Sequence, residues 1–396
     1  MATQANKKPT FDISLSAVTE WHRQMQLAYP ERAAFVQTII EAAIISEHVI
    51  GVGDPGTGKS QVATEFSKAI AGKTFVALLD RFTTPDHLLG GLDLMALKQG
   101  RTKRVLTDRL GDCTVAILEE LFNANPQTLK AMQMVVNERL ITDDGKLIKV
   151  PLRLALGVTN VLPAQGDGLE ALDDRFIYRH EIKRMQDRNN WLMVMAAGGP
   201  LQPVTAKFTL EHLDVLAERA ASMVVPMDVL EAVDKIRMAL PADIPCSDRK
   251  WIKCFKAIRA RAVMSGSTSV SSEHLTVLHH LLWLKISDQQ VVKELVAQHV
   301  SVWLRKLQKA QAAVDQLQKT QQSAVAGHDG MRDTIGEISK VANALHKINE
   351  DVLGEINKED AAKEKVRALR VRINDIIIAG SEAATRLGFG STISAE

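Results

Sequence analysis

The chain has 396 residues, with 49 Lys and Arg against 47 Asp and Glu and a formal net charge of +2. One hydrophobic core rarely serves more than roughly 250–300 residues, so two or three domains are expected, and the near-neutral balance gives little support to a nucleic-acid protein. No run of about 18 apolar residues offers a membrane span, and the polar stretch from Met1 to Thr10 has no apolar core of an export signal, so a cytoplasmic protein without membrane insertion is expected.

In chain order, residues 1–29 read as a polar arm. Glu31 to Glu47 then carries apolar residues at helical spacing and leads into the apolar run Val49-Ile50-Gly51-Val52. Directly after it, Gly53-Asp54-Pro55-Gly56-Thr57-Gly58-Lys59-Ser60 matches the phosphate-binding pattern G-x-x-x-x-G-K-[ST], and an amphipathic stretch from Gln61 to Ile70 follows. Strand, loop and helix in this order bind a nucleoside triphosphate. Glycines let backbone N–H groups curl around phosphate oxygens and the helix N-terminus adds partial positive charge. Lys59 reaches the β- and γ-phosphates, and the Ser60 hydroxyl holds Mg²⁺.

Short apolar segments recur at Thr74–Leu79, Thr114–Leu118, Leu152–Val158 and Phe176–Tyr178, each suited to a buried parallel strand and separated from the next by helical sequence. The alternation predicts a three-layer α/β nucleotide-binding core over residues 30–183. Two hairpin inserts are expected within it, at 92–110 and at Leu140–Pro151, where Asp144-Gly145 signals a tight turn. From 184 to 300 the pattern is helical, broken at Gly198-Gly199-Pro200, Pro226, Pro241, Pro245 and Gly266, which predicts a compact lid. Residues 301–396 carry three narrow apolar seams: Leu307, Ala310, Val314 and Leu317; Ile338, Val341, Leu345, Ile348 and Val352; Val366, Leu369, Ile373 and Ile376. A three-helix bundle or a coiled-coil hairpin follows, serving either internal packing or docking of another protein.

Hydrolysis needs an acid beside the metal and a base for water. Val115-Ala116-Ile117-Leu118-Glu119-Glu120 supplies both at a strand end, with Glu119 for Mg²⁺ and Glu120 to polarise water. The usual residue at the first of these positions is Asp, so Glu119 departs from the pattern by one methylene. Asn160 ends the next strand, where it can orient the attacking water. Arg175 in Asp173-Asp174-Arg175-Phe176 is a candidate arginine finger reaching a neighbouring subunit, with Arg179 as the second choice and a surface ion pair to Asp173 or Asp174 as the plainer role. Ser247 is a plausible N-cap that would put Arg249 on the lid facing nucleotide. Asn357-Lys358-Glu359-Asp360 matches a guanine-reading tetrapeptide but has no strand before it, and His274, His279 and His280 lack a ligand framework for metal. The three cysteines, Cys113, Cys246 and Cys254, are expected to be reduced thiols filling space.

Together, Gly53–Ser60, Leu118-Glu119-Glu120, Asn160, Asp174-Arg175-Phe176 and Ser247-Asp248-Arg249 resemble an AAA+ ATPase of the MoxR family. Asp80–Gly90, Asn137-Glu138-Arg139, Gly168–Leu172 and Cys246–Trp251 look like its regulatory ATPase variant A branch. The resemblance spans about residues 30–285. It implies ATP and Mg²⁺ held between subunits of a homo-oligomeric ring, most often a hexamer, with Arg175 acting in trans and Arg249 in cis. It also implies a von Willebrand factor A domain partner and a client protein that is remodelled or activated, met through the inserts. An ATP-gated scaffold with little hydrolysis and a nucleic-acid-acting motor of the same fold are the alternatives.

Overall fold

The computed structural model describes residues 8–163, 170–300, 302–326, 331–356 and 363–386. They fall into two units, Met1–Val296 and Ala297–Glu396. Seven strands are present among the described residues: β1 (Val49–Val52), β2 (Thr74–Leu78), β3 (Val115–Glu119), β4 (Leu140–Asp143), β5 (Lys146–Lys149), β6 (Leu154–Thr159) and β7 (Tyr178–Glu181). Five form one parallel sheet in the order β2-β3-β6-β1-β7, and β4 and β5 form an antiparallel hairpin. The central strands β1 and β6 are buried along their whole length, which is why they read as unbroken apolar runs. The last expected strand is displaced. Phe176 and Ile177 enter buried, and pairing with β1 begins only at Tyr178, so this edge strand carries the polar Arg179, His180 and Glu181.

Helices α1 (Phe11–Ala28) and α2 (Ala33–Ile44) precede the first strand and α3 (Lys59–Ala69) follows it; α1 packs on α2, α2 on β1, and α3 on β3 and β6. The expected polar arm is therefore largely a packed helix. Val18, Trp21, Met25 and Ala28 recur at helical spacing and are buried, and Trp21 meets Phe66 and Phe208 edge-on with ring centroids 5.6 Å from each. Burying each large apolar side chain stabilises this packing by roughly 1.5–3 kcal/mol, enough to hold a helix whose outer face is polar.

The inserts are built differently from one another. Asp144 and Gly145 turn the β4–β5 hairpin with φ of 49° and 73°. Residues 92–110 instead form a loop tipped by a helix. After α4 (Pro85–Leu89), Asp93 caps α5 (Leu94–Lys98), and a bridge between Leu92 and Arg104 closes the base. The Arg104 N–H donates to Asp143 Oδ1 at 2.5 Å and the Thr102 N–H to Asp144 Oδ1 at 3.0 Å, joining the two inserts.

The α-helices that follow in the chain are α6 (Pro126–Glu138), the short α7 (Glu170–Asp173), α8 (Arg188–Ala197), α9 (Leu210–Ser222), α10 (Met227–Ala239), α11 (Asp248–Met264) and α12 (Gln289–His299). Helix α11 is fastened to α2 and the segment after it by ion pairs: Arg261 to the fully buried Glu41 of α2, and Lys253 to Glu47 at 2.7 Å. The second unit contains α13 (Val302–Ala326), α14 (Met331–Lys347), α15 (Leu353–Ile356) and α16 (Lys363–Arg386). Here α13, α14 and α16 pack pairwise and bury Val314, Ile338, Leu345, Leu369 and Ile373, so the seams close a three-helix arrangement. Gly327–Gly330 and Asn357–Asp360, like Gly168 and Leu169, lie outside the described residues. No helix among the described residues is long and apolar enough to cross a membrane.

Candidate functional site

The phosphate-binding loop leaves β1 at Val52 and enters α3 at Lys59. Its tight start needs glycine: a Cβ on Gly53 would stand 2.1 Å from the Ile182 carbonyl oxygen. Gly56 and Gly58 take φ of 77° and 84°, the left-handed region where glycine has no steric cost. No side chain caps the N-terminus of α3, which leaves its first N–H groups for an anion. The Lys59 ammonium bonds the carbonyl oxygens of Gly53 at 2.5 Å and Asp54 at 2.7 Å, and burial lowers its pKa, opposed by the charges of Glu120 and Asp54. Open space at the Gly56 Cβ position, uncapped amides and a mobile-length cation together fit a polyphosphate.

Strand order explains the rest of the cluster. β6 lies between β3 and β1, with Val52 opposite Thr159 and Val158 opposite Glu119, so the ends carrying Glu119, Asn160 and Gly53 are adjacent. Lys59 Nζ donates to Asn160 Oδ1 at 3.1 Å, and Asn160 Nδ2 donates to Glu120 Oε1 at 2.7 Å. Asn123 Nδ2 donates to the other Glu120 oxygen at 3.2 Å. Glu120 itself sits at φ 53°, a left-handed turn that ends β3 and swings its carboxylate towards Asn160. Glu119, still in the strand, shares the strand ends with the loop. Ser60, in the first turn of α3, and Glu119 are the oxygen donors suited to a hard cation such as Mg²⁺.

A cavity of about 680 Å³ opens beside the loop, lined by Tyr29, Pro30 and Arg32 on one side, Pro55 to Gly58 on another, and Trp191, Val194 and Met195 of α8 on a third. Sequence reasoning did not identify this wall. Arg32, on the loop before α2, donates through Nε to Thr57 O at 3.0 Å and through Nη2 to Lys183 O at 3.0 Å, tying the phosphate loop to the chain beyond β7. The short Tyr-Pro turn at Tyr29-Pro30 was the sequence signal for it.

The arginines divide. Arg179 is 1% exposed and pairs with Asp173 Oδ2 at 2.7 Å within the same chain. Arg175 is half-buried, and its Nε is buried without a hydrogen-bond partner among the described residues. Arg249 is exposed on the first turn of α11, while the next residue, Lys250, is buried. Lys250, not Arg249, lines a second cavity of about 810 Å³ with Asn160, Asp173 and Asp174. The site thus brings together Lys59, Glu120 and Asn160 directly, and leaves Arg175 and Arg249 outside that hydrogen-bonded group. Of the histidines set aside as metal ligands, His280 stacks on His180 with ring centroids 5.0 Å apart, and His279 lies tilted against His280 at 3.9 Å.

Residues 16–217 match the family model described as the MoxR domain in the MoxR-vWA-beta-propeller ternary systems, and residues 228–296 match an AAA lid domain. Two uncharacterised proteins of Methanocaldococcus jannaschii are similar. One is 29% identical over 267 residues, 67% of this chain and 70% of its own length; the other is 28% identical over 255 residues, 64% and 68%. A structural protein of Acidianus two-tailed virus is 29% identical over 133 residues, 32% of this chain and 22% of that protein. The fold is shared with a crystal structure from Cytophaga hutchinsonii provisionally assigned as an ATPase, at a TM-score of 0.59 and 14% identity, covering 74% of this chain and 96% of that one. With its parallel sheet, phosphate loop and lid all in place, the chain belongs to the MoxR family of AAA+ ATPases.

Proposed function

We propose that the chain hydrolyses ATP as a homo-oligomeric ring, a hexamer, in the cytoplasm and uses the cycle to remodel or activate a client protein beside a von Willebrand factor A domain partner. The observation that carries the hydrolytic part is the continuous chain Lys59–Asn160–Glu120, which links the phosphate-binding ammonium to a carboxylate through one amide. Lys59 holds the β- and γ-phosphates once the triphosphate draws it from the Gly53 and Asp54 carbonyls. Asn160, released by that movement, orients water, and Glu120 takes a proton from it as it attacks. Ser60 and Glu119 would hold Mg²⁺, which would supply charge neutralisation on the transferred group. Arg175 reaches the triphosphate of the neighbouring subunit and Arg249 that of its own, each from a position that ring closure brings to the site. The description of the matched family model, naming MoxR with vWA and β-propeller proteins, supports the partner. The joined inserts, with Leu94, Met95 and Leu147 exposed, supply a surface for the client.

The test pairs two variants. Lys59→Ala is expected to abolish nucleotide binding, whereas Glu120→Gln retains ATP, assembles, and loses turnover by about two orders of magnitude or more. Unchanged phosphate release in Glu120→Gln would overturn the assignment. Glu119 in place of the usual Asp favours a second reading, an ATP-gated scaffold. Phosphate release at background in assembled protein, restored by Glu119→Asp, is its signature.

A further inference from the structure

We propose that the cavity of about 810 Å³ beside Asn160 is a binding site for a phosphate-type oxyanion, with the Lys250 ammonium as its cation. Lys250 lies in the first turn of α11, is 4% exposed, and lines this cavity. Its backbone N–H donates to Ser247 Oγ at 3.2 Å, the cap of the helix, but its ammonium has no hydrogen-bond or ion-pair partner among the described residues. Other buried cations of this unit are matched: Arg32 bonds Thr57 O and Lys183 O, Lys59 bonds the loop carbonyls and Asn160, and Arg179 pairs with Asp173. A buried ammonium with nothing to neutralise it is costly, and a bound anion removes that cost.

The rest of the lining favours an anion at the Lys250 end. Val52, Leu162, Pro163, Pro245 and Leu284 make the walls largely apolar, so charge inside is weakly screened and the ammonium attracts an anion strongly. The acids of the cavity do not supply that charge. Asp173 is committed to Arg179 through Oδ2 at 2.7 Å, and Asp174 is partly buried with no ion pair to Lys250. Lys285 adds a second, exposed ammonium to the lining. Burial, then the Arg179 charge, lowers the Lys250 pKa from its ordinary value, with Cys254, Cys246 and Asp174 opposing the shift, and an anion at the ammonium would raise it again. Asn160 points to phosphate as the class of anion. It lines this cavity and also bonds Lys59 and Glu120, so the cavity meets the reacting end of the nucleotide site. A phosphate group reaches Lys250 from there as the free product of hydrolysis or as the terminal group of a bound triphosphate. That origin rests on the ATPase reading; the oxyanion site itself does not.

Two calorimetric arms on the full-length protein test it. Inorganic phosphate is titrated, at fixed ionic strength and without nucleotide, into Lys59→Ala, whose phosphate loop no longer contributes, and into the same protein carrying Lys250→Met as well. Methionine keeps the length of the side chain and removes its charge. The first protein is expected to bind phosphate and the second to bind it about tenfold or more weakly, with Lys250→Arg restoring it. ADP and ATP are then titrated into Glu120→Gln with and without Lys250→Met. A loss of about tenfold for ATP with ADP unchanged identifies the terminal phosphate as the occupant. Equal affinities for both nucleotides, together with lost phosphate binding, identify the free ion. Guanidinium unfolding in phosphate-free buffer tests for a merely structural lysine: Lys250→Met should be at least as stable as the parent, since it removes an unpaired buried charge. A marked loss of stability there, or phosphate and ATP binding that are both indifferent to Lys250→Met, overturns the oxyanion site. Intact phosphate binding in a parent that does not hydrolyse ATP leaves the site standing and refutes the ATPase reading.

Discussion

His48 offers a titration that the fold makes quantitative. It lies between α2 and β1, 1% exposed, with Nε2 donating to Val136 O at 2.8 Å and Nδ1 accepting from the Ala155 N–H at 3.0 Å. Both ring nitrogens are satisfied only by the neutral tautomer. Burial, joined by the charges of Arg139 and Lys253, pushes its pKa down to about 3, and burial likewise takes His180 down to about 4 and His279 to about 3. In the unfolded chain each titrates near its ordinary 6.5. Between the two values the unfolded state binds more protons than the folded state, so stability is full above the unfolded pKa and declines as pH falls below it. From about pH 7.5 to about pH 5.5 each such histidine removes roughly 1.4 kcal/mol, and the three together roughly 4 kcal/mol. That is a large part of the 5–15 kcal/mol or so of a typical domain. Glu41, its pKa raised by burial, works in the opposite direction, which makes a difference measurement the cleaner one. His48→Gln keeps a donor for Val136 and no longer titrates. Guanidinium unfolding of the first unit, followed by the buried Trp21 and Trp283, should show the variant losing roughly 1.4 kcal/mol less than the parent over the same interval. Equal losses in the two proteins would refute the neutral buried histidine.

Gly53→Ala forces a Cβ against the Ile182 carbonyl at 2.1 Å, so the loop must shift; the expected cost is about 1–3 kcal/mol of nucleotide affinity by titration calorimetry. Arg32→Ala removes the ties to Thr57 and Lys183 while leaving the loop sequence intact, and a drop of about tenfold in nucleotide affinity with native circular dichroism is expected. Arg179→Ala strands Asp173 without its partner and should lower the unfolding free energy by about 3–5 kcal/mol. Arg175→Ala should leave that stability nearly unchanged and cut turnover of the assembled protein about a thousandfold, the scale of a lost arginine finger; the reverse pattern would exchange the two roles.

The central strands were legible because parallel strands buried on both faces read as continuous apolar runs, and the phosphate loop because its backbone conformations admit few residues but glycine. Helix α1 carried its signal too, in the spacing of Val18, Trp21, Met25 and Ala28, but the polar residues before it obscured the stripe. The insert at 92–110 misled because a turn-bounded apolar segment looks alike whether its tip is a strand or a single helical turn capped by Asp93. What sequence could not supply was adjacency. Helical crossovers separate each strand from its neighbour in the parallel sheet, so the order β3-β6-β1 that puts Asn160 between Glu120 and Lys59 is a property of packing.

The two consecutive acids show how one residue step of backbone assigns chemistry. Successive side chains of a strand point to opposite faces, so Glu119 and Glu120 in a continued strand would diverge across the sheet. β3 stops at Glu119, and the left-handed turn at Glu120 redirects the second carboxylate along the strand ends to Asn160 and Asn123. A non-glycine residue held in that conformation costs of order 1 kcal/mol, offset here by two amide hydrogen bonds to the carboxylate. Glu120→Gly would relieve the strain and remove the base together. Glu120→Asn tolerates the same turn but is one methylene shorter and uncharged, so it separates backbone from chemistry: Asn at this position should preserve stability within about 1 kcal/mol while turnover collapses. A stability loss several times larger would mean that the Glu120 carboxylate, through Asn160 and Asn123, holds the strand ends together rather than serving the water.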